Sequence, residues 1–431
     1  MRILVHTIFY RPELVGVAKY TSEMCEWLAA RGHDVEVVCP PPYYPHWQVQ
    51  TPYRQWRYQR EAADGVAIVR CPLWLPRRPG GWERILYSLS FVASSLPVLV
   101  RRLLRPPEVV FVLEPSFLNA IPALLLAKLT GALSWLQIKD FEIDLAFELG
   151  QLRRSELRWV LLRVESWIMR RFDVVSTISG AMQARVFGKG VPSDRFVYFP
   201  DWVDTDAVFP LSGPRPLRVE LGIREDTVVA LFSGTLGAKQ GIETLIAAAR
   251  QLLETNTARD PNILILICGD GPAQSRLKSL ADGLPNIRFI PLQPLARLNQ
   301  LLNAADIHVL PQVPDVADSV LPSKLLGMLV RGRPVVATVK PESEVGRLAA
   351  SSGALTDPGD AGQLAAAIRK LAADLPLRLR LGAEARSQAL RSLCHHLILG
   401  DFESALAARL AQKRPREEAD PALAHEHRRP T

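Results

Sequence analysis

Two consecutive α/β domains, each a Rossmann-like, doubly wound parallel sheet, are predicted by three observations. Short apolar runs alternate with helix-period stretches from the first residues onward, the pattern of βαβ units. The alternation is interrupted at Phe199-Pro200-Asp201-Trp202-Val203-Asp204, followed by Pro210, Pro214 and Pro216, and then restarts. The chain has 431 residues, more than the roughly 250–300 that one hydrophobic core usually serves. The expected division is a first domain over residues 1–205 and a second over 206–395. A helix over 396–412 is expected to pack back toward the first domain, and a disordered tail follows over 413–431, where charges mix with Pro and Ala.

Taken in order, the first strand is Arg2 to Thr7. A loop with Pro12 and Gly16 leads into a helix over Val17 to Arg31, with Tyr20, Met24, Trp27 and Leu28 at helical spacing. Gly32 and His33 stop it, and Asp34 to Cys39 is the second strand. A Pro- and aromatic-rich insertion, Pro40 to Tyr58, precedes strands at Val66 to Cys71, Val109 to Leu113, Leu133 to Ile138 and Val174 to Ile178. The second domain begins with a strand at Val228 to Phe232, a glycine turn and a helix over Ile242 to Leu253. Then come a strand at Ile263 to Cys268, another glycine turn and a helix over Ala273 to Ala281. Strands at Ile287 to Ile290, Ile307 to Leu310 and Pro334 to Thr338 complete it.

Composition narrows the class. With 48% hydrophobic and 22% charged residues, wholesale disorder, collagen-like repetition and a polytopic membrane protein are excluded. Cys25, Cys39, Cys71, Cys268 and Cys394 form no CxxC pair, so neither a disulfide framework nor a zinc site is expected and a reducing cytoplasm fits. Met1 to Val5 enter a strand-like run with no long apolar leader, which speaks against a secretory signal. Ile85 to Val100 and Phe117 to Leu136 are apolar enough to consider as membrane spans. The first is short and carries Pro97; the second breaks at Gly131 into a helix followed by a strand, and buried helices are the expected reading of both.

Ligands of open parallel sheets bind beyond the carboxyl ends of the strands, so the polar residues that follow strands are the candidates. Ser233 to Gly241 is a glycine-rich turn between strand and helix: Gly234 and Gly241 admit close backbone approach, helix-start N–H groups receive an anion, and Lys239 adds positive charge. Gly269-Asp270-Gly271-Pro272 ends the next strand in the same way. Asp318-Ser319-Val320-Leu321-Pro322-Ser323-Lys324 leads into the apolar helix Leu325 to Val330. Ser323 is placed to cap that helix, which puts Lys324 in the first turn, where the dipole disfavours a cation unless an anion is near.

These loops, in this order, resemble the retaining glycosyltransferases of family 4. The supporting stretches are GTLGAKQG, ICGDGP, ADIHVLP and PSK…GRPVVA in the second half, and PELVG, RGHDVEVVCP and FPDWVDTDAVFP in the first. PELVGVAKYTSEM, the PPYYP insertion (Pro41 to Pro45) and PSKLLGML are most similar to the colanic-acid-type exopolysaccharide subgroup. The resemblance implies a GT-B fold, two Rossmann-like domains facing a cleft, and a nucleotide-sugar donor. The family's phosphate loop has an Arg after the first glycine and a Lys before the last; this chain has Thr235 and Gln240 there, with Lys239 one place early. Its paired glutamates fall on Ser319 and Gly327, with Asp318 adjacent. The donor side is accordingly expected at Gly16, Gly234, Thr235, Gln240, Gly241, Gly269, Asp270, Gly271, Asp318, Ser319 and Ser323, with Lys239, Lys324 and Asp140 in catalysis. Lys139 and Asp140 follow the Leu133 to Ile138 strand where many relatives carry a His-Asp pair. With Glu142 and Asp144 they make an acidic turn suited to sugar hydroxyls or an acceptor.

The resemblance further implies sugar transfer with retained configuration to a polyprenyl-linked saccharide, with GDP-fucose as one candidate donor and no cofactor. Asp204-Thr205-Asp206 superficially matches a metal-holding DxD, but it follows the interdomain segment and is read as hinge structure, so no metal is expected. Arginines near Ile85 to Val100 (Arg77, Arg78, Arg84, Arg101, Arg102, Arg105) and within Arg153 to Arg171, interleaved with Trp159 and Trp167, suit an anionic cytoplasmic leaflet. No nucleic-acid motif accompanies the net charge of +8. On the residues alone, a nucleotide-sugar epimerase of the same fold and a non-catalytic donor-binding assembly protein stay open as alternatives.

Overall fold

The computed structural model describes the chain except residues 14–15, 45, 77–80, 115–116, 142–154, 212, 214, 238–239, 259, 314–321 and 414–431, and except the side chains of 81–82 and 155–158. Two compact units emerge. One comprises Met1–Thr177, Arg185–Phe199 and Leu399–Thr431, and the other Ile178–Ala184 and Pro200–Ile398.

In the first unit the chain runs β1 (Arg2–His6), α1 (Gly16–Ala30), β2 (Asp34–Cys39), β3 (Gln59–Ala63), β4 (Val66–Arg70), α2 (Gly81–Arg101), β5 (Val109–Glu114), α3 (Phe117–Thr130), β6 (Leu133–Ile138), α4 (Ser155–Met169), β7 (Val174–Thr177) and β8 (Phe196–Tyr198). Helix α5 (Gly180–Gly188) is divided between the two units. The sheet order is β3-β4-β2-β1-β5-β6-β7-β8, parallel except for β3. Both faces of such a sheet are covered, so its central strands are apolar almost throughout, and β5 and β6 are buried at every position. The polar residues of β6 are satisfied: Ser134 Oγ donates to Asp173 Oδ2 at 2.7 Å, and Gln137 Nε2 donates to the Phe199 carbonyl at 3.1 Å. Phe402, from the terminal helix His395–Lys413, stacks on Phe199 with ring centroids 4.1 Å apart and meets Phe111 and Trp135 edge-on.

Strand β3 was not anticipated, because Gln-Arg-Glu-Ala-Ala carries no apolar alternation. It is an edge strand held by its pairing to β4 and by the buried Arg70, which binds Glu61. The break at Gly131 into a helix followed by a strand is observed as α3 and β6, but the expected burial of the helices in 85–100 and 117–136 needs correction: α2 and α3 each bury one face only. Ile85, Leu86, Leu89, Leu96 and Val100 on α2, and Ile121, Leu125 and Leu129 on α3, are exposed. Glu83–Arg101 is long and apolar enough to cross a membrane by length and composition.

The aromatic insertion is anchored from the loop before α1. Buried Glu13 accepts the N–H groups of Tyr43 and Tyr44, both at 2.8 Å. Tyr43 hydroxyl bonds to Tyr87 hydroxyl, and Trp47 packs against both rings. Glu13→Ala strands two N–H groups, one of them in a buried residue. It is expected to lower stability by about 2–4 kcal/mol; an unchanged melting temperature would show that Glu13 does not hold this loop.

In the second unit α6 (Pro216–Glu220) precedes β9 (Val228–Ser233), α7 (Ile242–Glu254), β10 (Ile263–Cys268), α8 (Gln274–Leu280), β11 (Ile287–Ile290), α9 (Leu298–Ala304), β12 (Ile307–Leu310), α10 (Ser323–Val330), β13 (Val335–Thr338), α11 (Glu344–Ala349), β14 (Gly353–Thr356), α12 (Ala361–Ala373) and α13 (Leu375–Ser392); α14 (His395–Lys413) begins there and belongs to the first unit from Leu399 on. The parallel order is β11-β10-β9-β12-β13-β14. Ile242, Leu245, Ile246, Ala249 and Leu252 line one face of α7 and are buried against the sheet and α12. The order reverses between β9 and β12, which leaves a crevice at the carboxyl ends of those strands.

Candidate functional site

The loop after β9 lies at that reversal, and it is joined by hydrogen bonds to the loop after β10. Gly234 N–H donates to the Cys268 carbonyl at 3.0 Å, Leu236 N–H to the Asp270 carbonyl at 2.8 Å, and Ala273 N–H to the Leu236 carbonyl at 3.0 Å. The two backbones approach so closely that a Cβ on Gly269 would stand 1.9 Å from the Gly234 carbonyl oxygen. Asp270 Oδ1 accepts the Gly271 N–H at 2.7 Å, and Thr235 is exposed at the turn. Gly241, in the left-handed region at φ +63°, caps α7; a Cβ there would come within 2.9 Å of the Gln312 backbone. The first turn of α7, with its outward N–H groups, therefore opens beside the turn.

Lys324 supplies the charge. It is the second residue of α10, and its ammonium donates to Gln240 Oε1 and stands 4.6 Å from the centroid of the Phe232 ring. Among the described residues no carboxylate pairs with it. Burial pushes its pKa down from the usual lysine value to about 8. A largely desolvated cation with a neutral amide as partner is under-compensated, and an anion placed there offsets that cost. Gln240, at the position where the phosphate-loop pattern has lysine, accepts the hydrogen bond of this ammonium from α10. Ser323 does not cap that helix as expected. The N-cap is Pro322, and Ser323 is already the first helical residue and exposed. Lys239, Asp318 and Ser319 lie outside the described residues.

Gln312, just beyond β12, was missed by the sequence reading although it obeys the same rule of polar residues following strands. It is 8% exposed, its N–H donates to Thr338 Oγ1 at 2.7 Å, and its Oε1 has no hydrogen-bond partner among the described residues. The backbone of Gln312 is packed against Gly241, beside the glycine turn.

In the first unit Gly16 opens α1, with no atom of the described residues within 4 Å of where its Cβ would be. Lys139 and Asp140 follow β6; Lys139 is buried, with its ammonium 4.9 Å from the centroid of the Tyr20 ring. Lys19 places a second ammonium 4.5 Å from the same ring, so Tyr20 gathers two cations near the first turn of α1. Neither Tyr20 nor Lys19 carries a sequence signal beyond helical spacing. Glu142 and Asp144 lie outside the described residues.

The halves of the chain match two family models, the glycosyl transferase 4-like domain over residues 15–202 and the glycosyl transferases group 1 domain over 215–388. The chain is 38% identical over 366 residues to the putative colanic acid biosynthesis glycosyl transferase WcaI of Escherichia coli K12, covering 81% of this chain and 86% of that one. Its fold is similar to that of sucrose-phosphate synthase from Thermosynechococcus elongatus, with a TM-score of 0.73 at 18% identity over 96% of this chain and 100% of that chain. Anabaena HepE, solved with UDP and glucose, gives 0.67 at 17% identity, covering 95% and 100%. Two parallel α/β domains, both family matches and a relative alike over most of its length lead to one conclusion: the chain belongs to the family 4 glycosyltransferases of GT-B fold and is itself a glycosyltransferase.

Proposed function

We propose that this enzyme transfers a sugar from a nucleoside diphosphate donor to a polyprenyl-linked saccharide, with retained configuration, in exopolysaccharide assembly of the colanic-acid type. The observation that carries the donor side is the largely buried Lys324 ammonium beside the Gly234 turn, with Gln240 as its hydrogen-bond partner among the described residues. Similarity to WcaI supports the pathway. Cleavage of the sugar–phosphate bond leaves negative charge on the diphosphate, and Lys324 together with the N–H groups at the start of α7 stabilises it most as it departs. Lys239 adds to that charge, and Gly234, Thr235, Gln240, Gly241 and the Gly269–Gly271 turn shape the donor side. No metal is assigned to the diphosphate. A donor phosphate oxygen takes the acceptor proton in a same-face attack, so no protein base is required; Asp140 and Lys139 orient the sugar and acceptor.

A thermal-shift screen of nucleotides and nucleotide-sugars, GDP-fucose among them, tests the donor side. Ligand at about 100 times its Kd raises stability by about 2.7 kcal/mol, so a cognate diphosphate shifts the melting point more than its monophosphate. A panel with no shift removes the donor assignment.

The exposed faces of α2, α3 and α4 support an acceptor side on the cytoplasmic membrane surface. Helix α4 continues the apolar exposure with Trp159, Val160, Val164 and Trp167. Arg163 and Arg171 lie 4.1 and 4.6 Å over the Trp159 and Trp167 rings. Arg84, Arg101, Lys128 and Arg170 are also exposed around these helices. Apolar side chains fringed by cations suit an anionic leaflet, where each near-surface charge contributes about 1 kcal/mol. Arg101→Gln with Arg163→Gln is expected to reduce binding to anionic liposomes by about tenfold and to flatten its salt dependence; co-sedimentation equal to that of the parent would reject the membrane surface.

A further inference from the structure

Outside the donor side, the structure gathers a set of metal-ligating groups at the start of α14. One ligand atom each from Asp206, His395 and His396 lies within 4.8 Å of the others. His396 Nε2 is 3.1 Å from Asp206 Oδ2, and the two imidazole centroids are 3.8 Å apart. Asp204 Oδ1, 3.9 Å from His395 Nδ1, adds a second carboxylate to the local field.

The backbone sets this arrangement in advance. Val203 N–H donates to the Leu393 carbonyl at 2.8 Å and His395 N–H to the Val203 carbonyl at 3.1 Å, so the two segments run side by side as a short bridge. Asp204 Oδ1 accepts the N–H groups of Asp206 and Ala207, both at 2.9 Å, which fixes the turn that presents Asp206. His395 is largely buried, whereas the side chains of His396 and Asp206 are 54% and 74% exposed and can change rotamer. Zinc bound at about 2.0–2.1 Å needs ligand atoms about 3.4 Å apart in a tetrahedron, a contraction that those two exposed side chains can supply.

We propose that Asp206, His395 and His396 form a binding site for a borderline divalent transition ion of the zinc class, completed by water. Two imidazoles and one carboxylate favour zinc, cobalt or nickel over magnesium or calcium, whose preferred ligands are oxygens. The Asp204-Thr205-Asp206 stretch thus acquires a metal role unlike that of a DxD on a diphosphate, since its partners are histidines and not phosphate oxygens. Asp206 follows the point where the chain enters the second unit at Pro200, and His395 and His396 precede the point where it leaves at Ile398. The ion ties these two segments together.

The test is calorimetric titration of the full, tag-free chain with zinc chloride, and separately with magnesium chloride. Saturable zinc binding at a single site, weakened at least about tenfold in both His396→Gln and Asp206→Asn and unchanged in His46→Gln, is the expected result. Cobalt(II) should give visible d–d absorption in the parent that is lost in His396→Gln. Metal-free melting temperatures equal to the parent's establish that these surface variants fold. No saturable zinc binding, zinc affinity unchanged in His396→Gln and Asp206→Asn, or tighter binding of magnesium than of zinc would overturn the proposal.

Discussion

Replacing Lys324 by methionine is expected to weaken nucleoside diphosphate binding by about 100-fold while making the ligand-free protein more stable. Both effects have one origin. Burial lowers the lysine pKa to about 8 from its ordinary 10.5, which corresponds to about 3 kcal/mol against the charged form. The hydrogen bond to Gln240 returns about 1 kcal/mol of this, so the variant gains about 2 kcal/mol at neutral pH. The sign follows from proton linkage. Below about pH 8 the lysine is charged in folded and unfolded chains alike, and the burial cost is fully present. Between about pH 8 and 10.5 only the unfolded chain holds the proton, so the parent's stability rises with pH and the gap to the variant closes. Diphosphate affinity in the parent falls as pH rises through 8, and in the variant it stays flat over that range. Melting curves and isotherms from pH 6.5 to 9.5 check both. A variant less stable than the parent at pH 7, with unchanged affinity, would make Lys324 an ordinary structural residue.

Gly269→Ala is expected to cost more than about 3 kcal/mol and to abolish diphosphate binding. Its Cβ would meet the Gly234 carbonyl oxygen at 1.9 Å, and that atom is backbone, with no rotamer through which to retreat. The hydrogen bonds between the two turns would have to part, moving the loop that carries Gly234 and Thr235. Gly237→Ala, in the same loop with no atom of the described residues within 4 Å of its Cβ and no positive φ, serves as the control and should behave as the parent. Denaturant titration and diphosphate binding of the two variants separate the readings. Equal behaviour of Gly269→Ala and Gly237→Ala would show that the close approach of the two loops is not what shapes the site.

The fold was legible because parallel strands covered on both faces are written as unbroken apolar runs: Leu133–Ile138, Ile263–Cys268 and Ile307–Leu310 begin and end where the sequence places them. Strand β3 was invisible because an edge strand of Gln, Arg, Glu and Ala is held by pairing and by the Arg70–Glu61 ion pair, not by burial. The half-exposed faces of α2 and α3 were misjudged because apolar content reports how much surface a helix offers, not how much its neighbours cover. At the candidate site the glycine turns and Lys324 were readable as residues following strands or opening helices. What the sequence withheld were the partners. Gln240 as the acceptor of the Lys324 hydrogen bond, the packing of Gly241 on the Gln312 backbone and the approach of Lys139 to the Tyr20 ring all join residues remote along the chain. The approach of His395 and His396 to Asp206 belongs to the same class.

The most direct test of the account is to incubate the enzyme with a labelled donor found in the thermal-shift screen and with membranes carrying polyprenyl-linked saccharide, and to follow label and anomeric configuration. The account predicts release of nucleoside diphosphate with label passing into the lipid-linked fraction, in the configuration it had on the donor. A free epimer of the nucleotide-sugar, label of inverted configuration, or bound donor that is never transferred to lipid would contradict it.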